Sequence, residues 1–254
     1  MFWRGVTGLA LTLALGGAVA AQSGPPDTAT LVADAQALKL VSDATDKGGI
    51  LAVQPHEGAL RAILAHQPHP FEDPQRIRDT LYFRTQTIAD CLIMLTLTQK
   101  MNAKKGVCVD NPYPKAAFLL GSYYNEIQRP DVSLPILSGQ LKDAPGDTVL
   151  ASETAAAYVL AKRMDDALTT YQTGLDNAGL LATDHDKALL LRGKGFALTE
   201  LRRYDEAETA YRQSLVLQPG HGGALRELKY ITQVKSGGVT APSGLVNSEQ
   251  AKKP

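Results

Sequence analysis

Apolar residues recur three and four positions apart through much of this chain, the spacing that lays one stripe along an α-helix. Thr30 to Ala44 carries Leu31, Ala35, Leu38 and Val41 on one side, and His56 to His66 carries Ala59, Leu60, Ile63 and Leu64. Leu92, Leu95, Leu97 and Met101 predict a long buried helix, entered through Thr87-Ile88-Ala89-Asp90 with capping-box spacing, although Asp is a poorer third-position partner than Glu. Leu81-Tyr82-Phe83 fits either a short strand or the first turn of a helix, and His66-Gln67-Pro68-His69-Pro70 reads as a rigid connector. Near the other end, Gly222 to Gln233 predicts a closing helix that turns Leu225, Leu228 and Ile231 inward and leaves Arg226 and Lys229 in water.

Between these segments the pattern repeats itself. Met164-Asp165-Asp166-Ala167-Leu168-Thr169-Thr170-Tyr171 returns 40 residues later as Tyr204-Asp205-Glu206-Ala207-Glu208-Thr209-Ala210-Tyr211, so that Ala167, Tyr171 and Leu175 match Ala207, Tyr211 and Leu215. An earlier copy runs from Pro114 to Asp147, its Tyr124 lying 34 residues before Tyr158. Each copy pairs two helices across a short basic-acidic turn such as Arg202-Arg203-Tyr204-Asp205. Small residues let the two backbones approach, and an aromatic ring fills the space where they diverge. Pro145-Gly146 and Pro219-Gly220 end the first and last units, and Asp147 is placed to cap the helix that follows.

At these residues the chain resembles the tetratricopeptide repeat family over about residues 114–221. Leu191, Gly195, Leu198, Ala207, Tyr211, Ser214 and Pro219 occupy the family's positions in the last unit; Ala155, Tyr158, Ala167, Tyr171 and Gly174 do so in the middle one. The first unit matches through Ala117, Gly121, Tyr124, Ser133, Leu137 and Pro145; there Pro135 replaces a good helix former and marks a second helix shortened to begin near Leu134. The middle unit lacks the closing proline and gains about six residues around Leu180 to Asp186. The resemblance implies an all-α, right-handed solenoid of helical hairpins whose first helices line a concave groove for a peptide or an irregular protein segment. It places Phe118, Ser122 and Asn125, then Ser152, Ala156 and Val159, then Arg192, Phe196 and Thr199 at that groove. The repeated Lys/Asn pattern of members that clamp a terminal carboxylate is not reproduced.

The ends of the chain add a destination. Arg4, the apolar stretch Val6 to Leu15 and the small residues Ala18-Val19-Ala20-Ala21 read as an export signal over residues 1–21, cleaved after Ala20 or Ala21. The run is short for a membrane span and no stop-transfer cluster follows, so the expectation is a processed, not membrane-spanning form in a bacterial periplasm or secreted. Residues 22–112 form an N-terminal helical region, either a divergent pair of repeats or a separate helical cap; residues 113–235 hold the array and its capping helix, and residues 236–254 a tail without apolar period. With 26 basic and 26 acidic residues, of which the signal holds only Arg4, overall charge makes no case for nucleic acid or anionic lipid.

Cys91 and Cys108, separated by 16 residues, are the two cysteines, and an oxidising compartment permits a disulfide tying the predicted helix to the entrance of the first repeat. Their spacing suits neither a redox pair nor a four-ligand metal site. His66 and His69, with Glu72 and Asp73 nearby, invite a metal hypothesis but read as a polar loop; His185 belongs to a solvated helix start and His221 to a glycine-rich turn. No zinc-protease, phosphate-loop or dinucleotide fingerprint occurs, and the acidic pairs Asp165-Asp166 and Asp205-Glu206 recur as architecture. The expectation is a non-enzymatic adaptor that needs no cofactor and binds protein or peptide, not nucleic acid. Alternatives are an assembly helper acting through its convex face or N-terminal cap, and a hydrolase whose residues meet only in the fold.

Overall fold

The computed structural model describes residues 28–69, 72–179 and 182–238. The expected signal, and the tail from residue 239 onward, lie outside them. Helix α1 (Thr28–Gly48) is followed by a 3-10 helix (Ile50–His56) and by α2 (Glu57–Ala65). Leu31 and Val41 of α1, Val53 of the 3-10 helix, and Leu60 and Ile63 of α2 turn their stripes toward one core. That core is completed by Tyr113, Ala116, Leu120 and Tyr123 of α4 (Tyr113–Glu126).

Between α2 and α4 the chain inserts a small mixed sheet with one helix. Strands β1 (Gln75–Ile77) and β2 (Thr80–Thr85) form an antiparallel hairpin; α3 (Ile88–Lys100) then carries the chain over to β3 (Lys105–Asp110), which runs parallel to β2. Parallel neighbours need such a crossover. The helix starts where the sequence marks it: Thr87 accepts from the Asp90 amide, and Asp90 accepts from the Thr87 amide at 2.9 Å. The expectation of a long buried helix fails, however, because α3 rests on the sheet by one side alone. Thr98 and Leu95 close over Gly106, where an added Cβ would lie 2.4 Å from the Thr98 hydroxyl, while Leu92 is 61% exposed. The N-terminal region is therefore helical with a β insertion, and Leu81-Tyr82-Phe83 belongs to a strand.

Three helical hairpins follow: α4 with α5 (Pro130–Asp143), α6 (Thr148–Leu160) with α7 (Met164–Asp176), and α8 (Asp184–Glu200) with α9 (Tyr204–Leu217). Helix α10 (Gly222–Lys235) closes the stack by burying Ala224 and Ile231 against α9. Leu225, expected to face inward, is 50% exposed; Ala224 occupies that side instead. Helix α5 also begins earlier than Pro135 suggested. Pro130 occupies its first turn, where a missing amide costs nothing, and Pro135 is carried inside the helix because Ser133, Leu137 and Gln140 are held in the core.

All three hairpins turn in one way. Gln128, Lys162 and Arg202 take left-handed φ values of 59°, 58° and 59°. The next amide, of Arg129, Arg163 or Arg203, then donates back to the carbonyl of Tyr124, Tyr158 or Leu198 at 2.8 to 2.9 Å. The arginine side chains reach forward to Asp131, Asp166 and Glu206 in the first turn of the second helix. The basic-acidic turn is thus a device for starting the second helix. Within the hairpins, glycine makes the close approach possible: a Cβ on Gly121 would lie 2.4 Å from Leu137, and one on Gly195 would lie 2.9 Å from the Tyr211 ring. First helices pack along one another, α4 on α6 and α6 on α8, whereas α5, α7 and α9 share no contact of comparable extent. The array consequently bends with its first helices on the inner side.

Candidate inner-face site

Gly121, Ala155 and Gly195 mark the same register in α4, α6 and α8, so positions can be compared along the wall. Six residues before these come Lys115, Val149 and Leu189, all exposed. Phe118, Ser152 and Arg192 come three before and are half-buried. One residue after lie Ser122, Ala156 and Phe196, of which Phe196 is only 9% exposed. Four after lie Asn125, Val159 and Thr199, and here Asn125 and Thr199 are closed off. Accessibility therefore declines toward the carboxyl ends of the first helices.

The buried members are occupied by the scaffold. Asn125 accepts from the Ser133 hydroxyl at 2.6 Å and donates to the Glu153 carbonyl at 3.1 Å and its carboxylate at 3.2 Å, linking the first hairpin to the second. Thr199 donates to the Gly195 carbonyl at 2.9 Å and shares a hydrogen bond with Tyr211. The Ser122 hydroxyl is buried with no partner among the described residues. Of the residues expected at the groove, the structure leaves Phe118, Ser152 and Arg192 accessible in part; Asn125, Phe196 and Thr199 serve packing. Val149 and Leu189 escaped notice in the sequence, although counting back from the small residue of each unit finds both beside Lys115.

Charge is arranged at the two ends of this wall. At the first unit the Lys115 ammonium lies 4.9 Å from the centroid of the Phe118 ring. Lys115 also borders an open cleft of about 470 Å³ between α1 and the inserted sheet, with Lys39, Gln86, Asp110 and Asn111 on its walls. At the last unit Arg192 donates to the Gln218 carboxamide at 2.6 Å, and Gln218 in turn contacts the His185 ring at 2.8 Å. Burial lowers the Arg192 guanidinium below its ordinary value. Burial first, and then Arg192, Arg226 and His185, hold His221 below the usual histidine range. Its ring nitrogen accepts from the Ala224 amide at 3.2 Å and caps α10, a structural use of what read as a turn residue.

Other candidate chemistry resolves into structure. His66 contacts Asp34 at 2.9 Å, fastening α2 to α1, and among the described residues no group of three His, Cys, Asp or Glu is placed to hold a metal. Cys91 of α3 and Cys108 of β3 are joined by a disulfide with their Cα atoms 5.7 Å apart, just before the chain enters α4. No helix among the described residues is long and apolar enough to cross a membrane.

No family model matches the chain. It is 26% identical over 161 residues to the mouse Tetratricopeptide repeat protein 21B, a match that covers 63% of this chain and 11% of the relative's length. Among solved structures, it is similar to the first tetratricopeptide domain of human RPAP3, at 20% identity and a TM-score of 0.45, covering 49% of this chain and 94% of the other. It is likewise similar to the first such domain of Spaghetti (RPAP3) bound to an HSP90 peptide, at 21% identity and a TM-score of 0.45, covering 50% and 97%. Small-to-large pairing within each hairpin, a shared left-handed turn, a wall of first helices and the sequence match agree, and over residues 113–217 the chain resembles the tetratricopeptide repeat family, whose domains generally bind proteins or peptides.

Proposed function

We propose that the chain is a non-catalytic adaptor of the bacterial cell envelope that receives an extended segment of a partner protein on the inner face of its array. The observation that carries this reading is the graded wall. Exposed Lys115, Val149 and Leu189, with Phe118, Ser152 and Arg192 beside them, give apolar contacts between two cationic ends. Such a surface suits a segment whose apolar side chains are flanked by acidic ones, since apolar burial supplies affinity and the cations set register. Of the buried polar side chains on this wall, Asn125 links the first hairpin to the second and Thr199 ties α8 to α9, which leaves binding to the accessible rows.

Export supports the reading through the small-residue run Ala18-Val19-Ala20-Ala21 after an apolar stretch. Intact mass of the chain recovered from its native compartment checks this: the account expects a first residue of Ala21 or Gln22, and retention of Met1 contradicts it. For binding, the test replaces the accessible groups. Leu189→Glu combined with Arg192→Ala is expected to weaken a co-purified partner at least about tenfold, as a lost central contact would, while circular dichroism stays unchanged. Full affinity in the folded variant would move the surface to the second helices or the N-terminal region.

A further inference from the structure

From Cys91 to Gln99, helix α3 carries nine successive uncharged residues, with apolar side chains on every side of it. A helix of that kind belongs in an interior. Here one side rests on the sheet through Thr98, Leu95 and the Cys91–Cys108 bond, and no helix of the array packs on it to a comparable extent. Ile88 is 81% exposed, Leu92 61%, and Met94, Leu95 and Met101 each keep more than a third of their surface. The disulfide and the close approach at Gly106 fix the helix, so these side chains are presented on a rigid platform.

The end of α3 adds charge. Lys100 closes the helix and Lys104 and Lys105 follow it, while the β1–β2 hairpin brings Arg76 and Arg78 to the same place. Arg76 donates to the Met101 carbonyl and, at 3.4 Å, to that of Asn102; the amides of Lys104 and Lys105 donate to the Asp79 carbonyl at 2.9 and 3.2 Å. All five basic residues are exposed, and Asp79, ion-paired with Lys104, is the acidic residue among them. The neutral overall composition conceals this local excess.

We propose that α3 and its basic end form a peripheral docking surface for an anionic lipid bilayer. In this arrangement Ile88 and Leu92 enter the boundary between headgroups and acyl chains, and Lys100, Lys104, Lys105, Arg76 and Arg78 meet lipid phosphates. A second copy is a poorer occupant. Parallel pairing of two α3 helices would bring the basic ends together. Antiparallel pairing would set the five cations of each basic end against a single carboxylate of the other copy's α3, Asp90, which also caps its own helix through the amides of Thr87 and Gln86. The surface is built from the inserted helix and hairpin and uses none of the side chains of the first helices, so docking would leave the Val149, Leu189 and Arg192 side chains free for a partner.

The test is co-sedimentation of the full chain with vesicles of phosphatidylglycerol and phosphatidylethanolamine, and with phosphatidylcholine vesicles, across a salt series. The proposal expects binding to the first, weak binding to the second, and release by salt. Ile88→Glu with Leu92→Glu, and separately Lys100→Glu with Lys104→Glu and Lys105→Glu, should each lower the partition at least about tenfold with an intact disulfide and unchanged circular dichroism. Binding that survives both variants would assign it to another segment and overturn the proposal. So would failure of the unaltered chain to bind, or a dimer in sedimentation velocity that Leu92→Glu dissolves.

Discussion

Tyr211 shows how much of the array depends on single pairs of side chains. Its ring is 2% exposed against Gly195, and burial drives its hydroxyl well above the ordinary tyrosine range. Replacing Tyr211 by Ala should cost about 2–4 kcal/mol, the range for emptying a buried aromatic site, and Gly195→Val should be at least as damaging because the added atoms meet that ring. Urea denaturation of each variant measures both. Gly193 makes the equivalent contact between units, since a Cβ there would lie 2.2 Å from the Tyr171 ring. Glu227 offers a test by pH. Burial, and then the neighbouring Glu200 carboxylate, raise its carboxyl above the usual value of 4.5. The folded chain then holds a proton that the unfolded chain releases, so the contribution is present below about pH 4.5 and is lost as pH rises through the raised folded value. Glu227→Gln should accordingly gain in melting temperature relative to the unaltered chain between pH 4.5 and 7. A difference that stays constant over that interval would contradict the account.

The elements divide into those whose contacts are local and repeated and those whose contacts are neither. Each hairpin packs against itself and its neighbours, so its rules recur in sequence: Ala167 and Ala207, Tyr171 and Tyr211, Gly121 and Gly195 are legible because the same space is filled more than once. The hairpin turn was legible only as a mixture of charges; its left-handed residue is Gln128, Lys162 or Arg202, none of which announces that conformation. Lys162→Gly should therefore stabilise the middle unit slightly, by about 0.5 kcal/mol, the relief of left-handed strain less the added freedom of the unfolded chain. A loss of stability in thermal unfolding would show that the lysine stem contributes more than its backbone costs. The β insertion was hidden for a different reason. β1 has three residues, β2 pairs across a helix with β3, and α3 lacks an apolar stripe because it is apolar all round. Converting Cys91 and Cys108 to Ser together should loosen this insertion by about 3 kcal/mol on the loop-entropy estimate, with hydrogen exchange rising in β3 and α3 while α8 and α9 stay protected.

At the scale of the whole molecule, the N-terminal helices continue the stack by packing on α4, and α10 seals its far end. Between them the first helices form one wall. The repeat register located that wall and its row of Phe118, Ser152 and Arg192 but missed the row of Val149 and Leu189. It counted Asn125, Phe196 and Thr199 as groove residues although the fold buries them, Asn125 against Glu153 of α6 and Thr199 against Tyr211 of α9; a register taken one helix at a time does not see the neighbour. The accessible rows are those of Val149 and Leu189 and of Ser152 and Arg192, so the account fails or stands on them. The most direct measurement places a photo-crosslinking side chain in turn at Val149, Leu189 and, on the second helix α9, Val216, which is 80% exposed, and maps the joined residues on a co-purified partner by mass spectrometry. The account predicts adducts at Val149 and Leu189 that fall within one continuous segment of the partner, and none at Val216; adducts at Val216 with silence at both inner positions would contradict it.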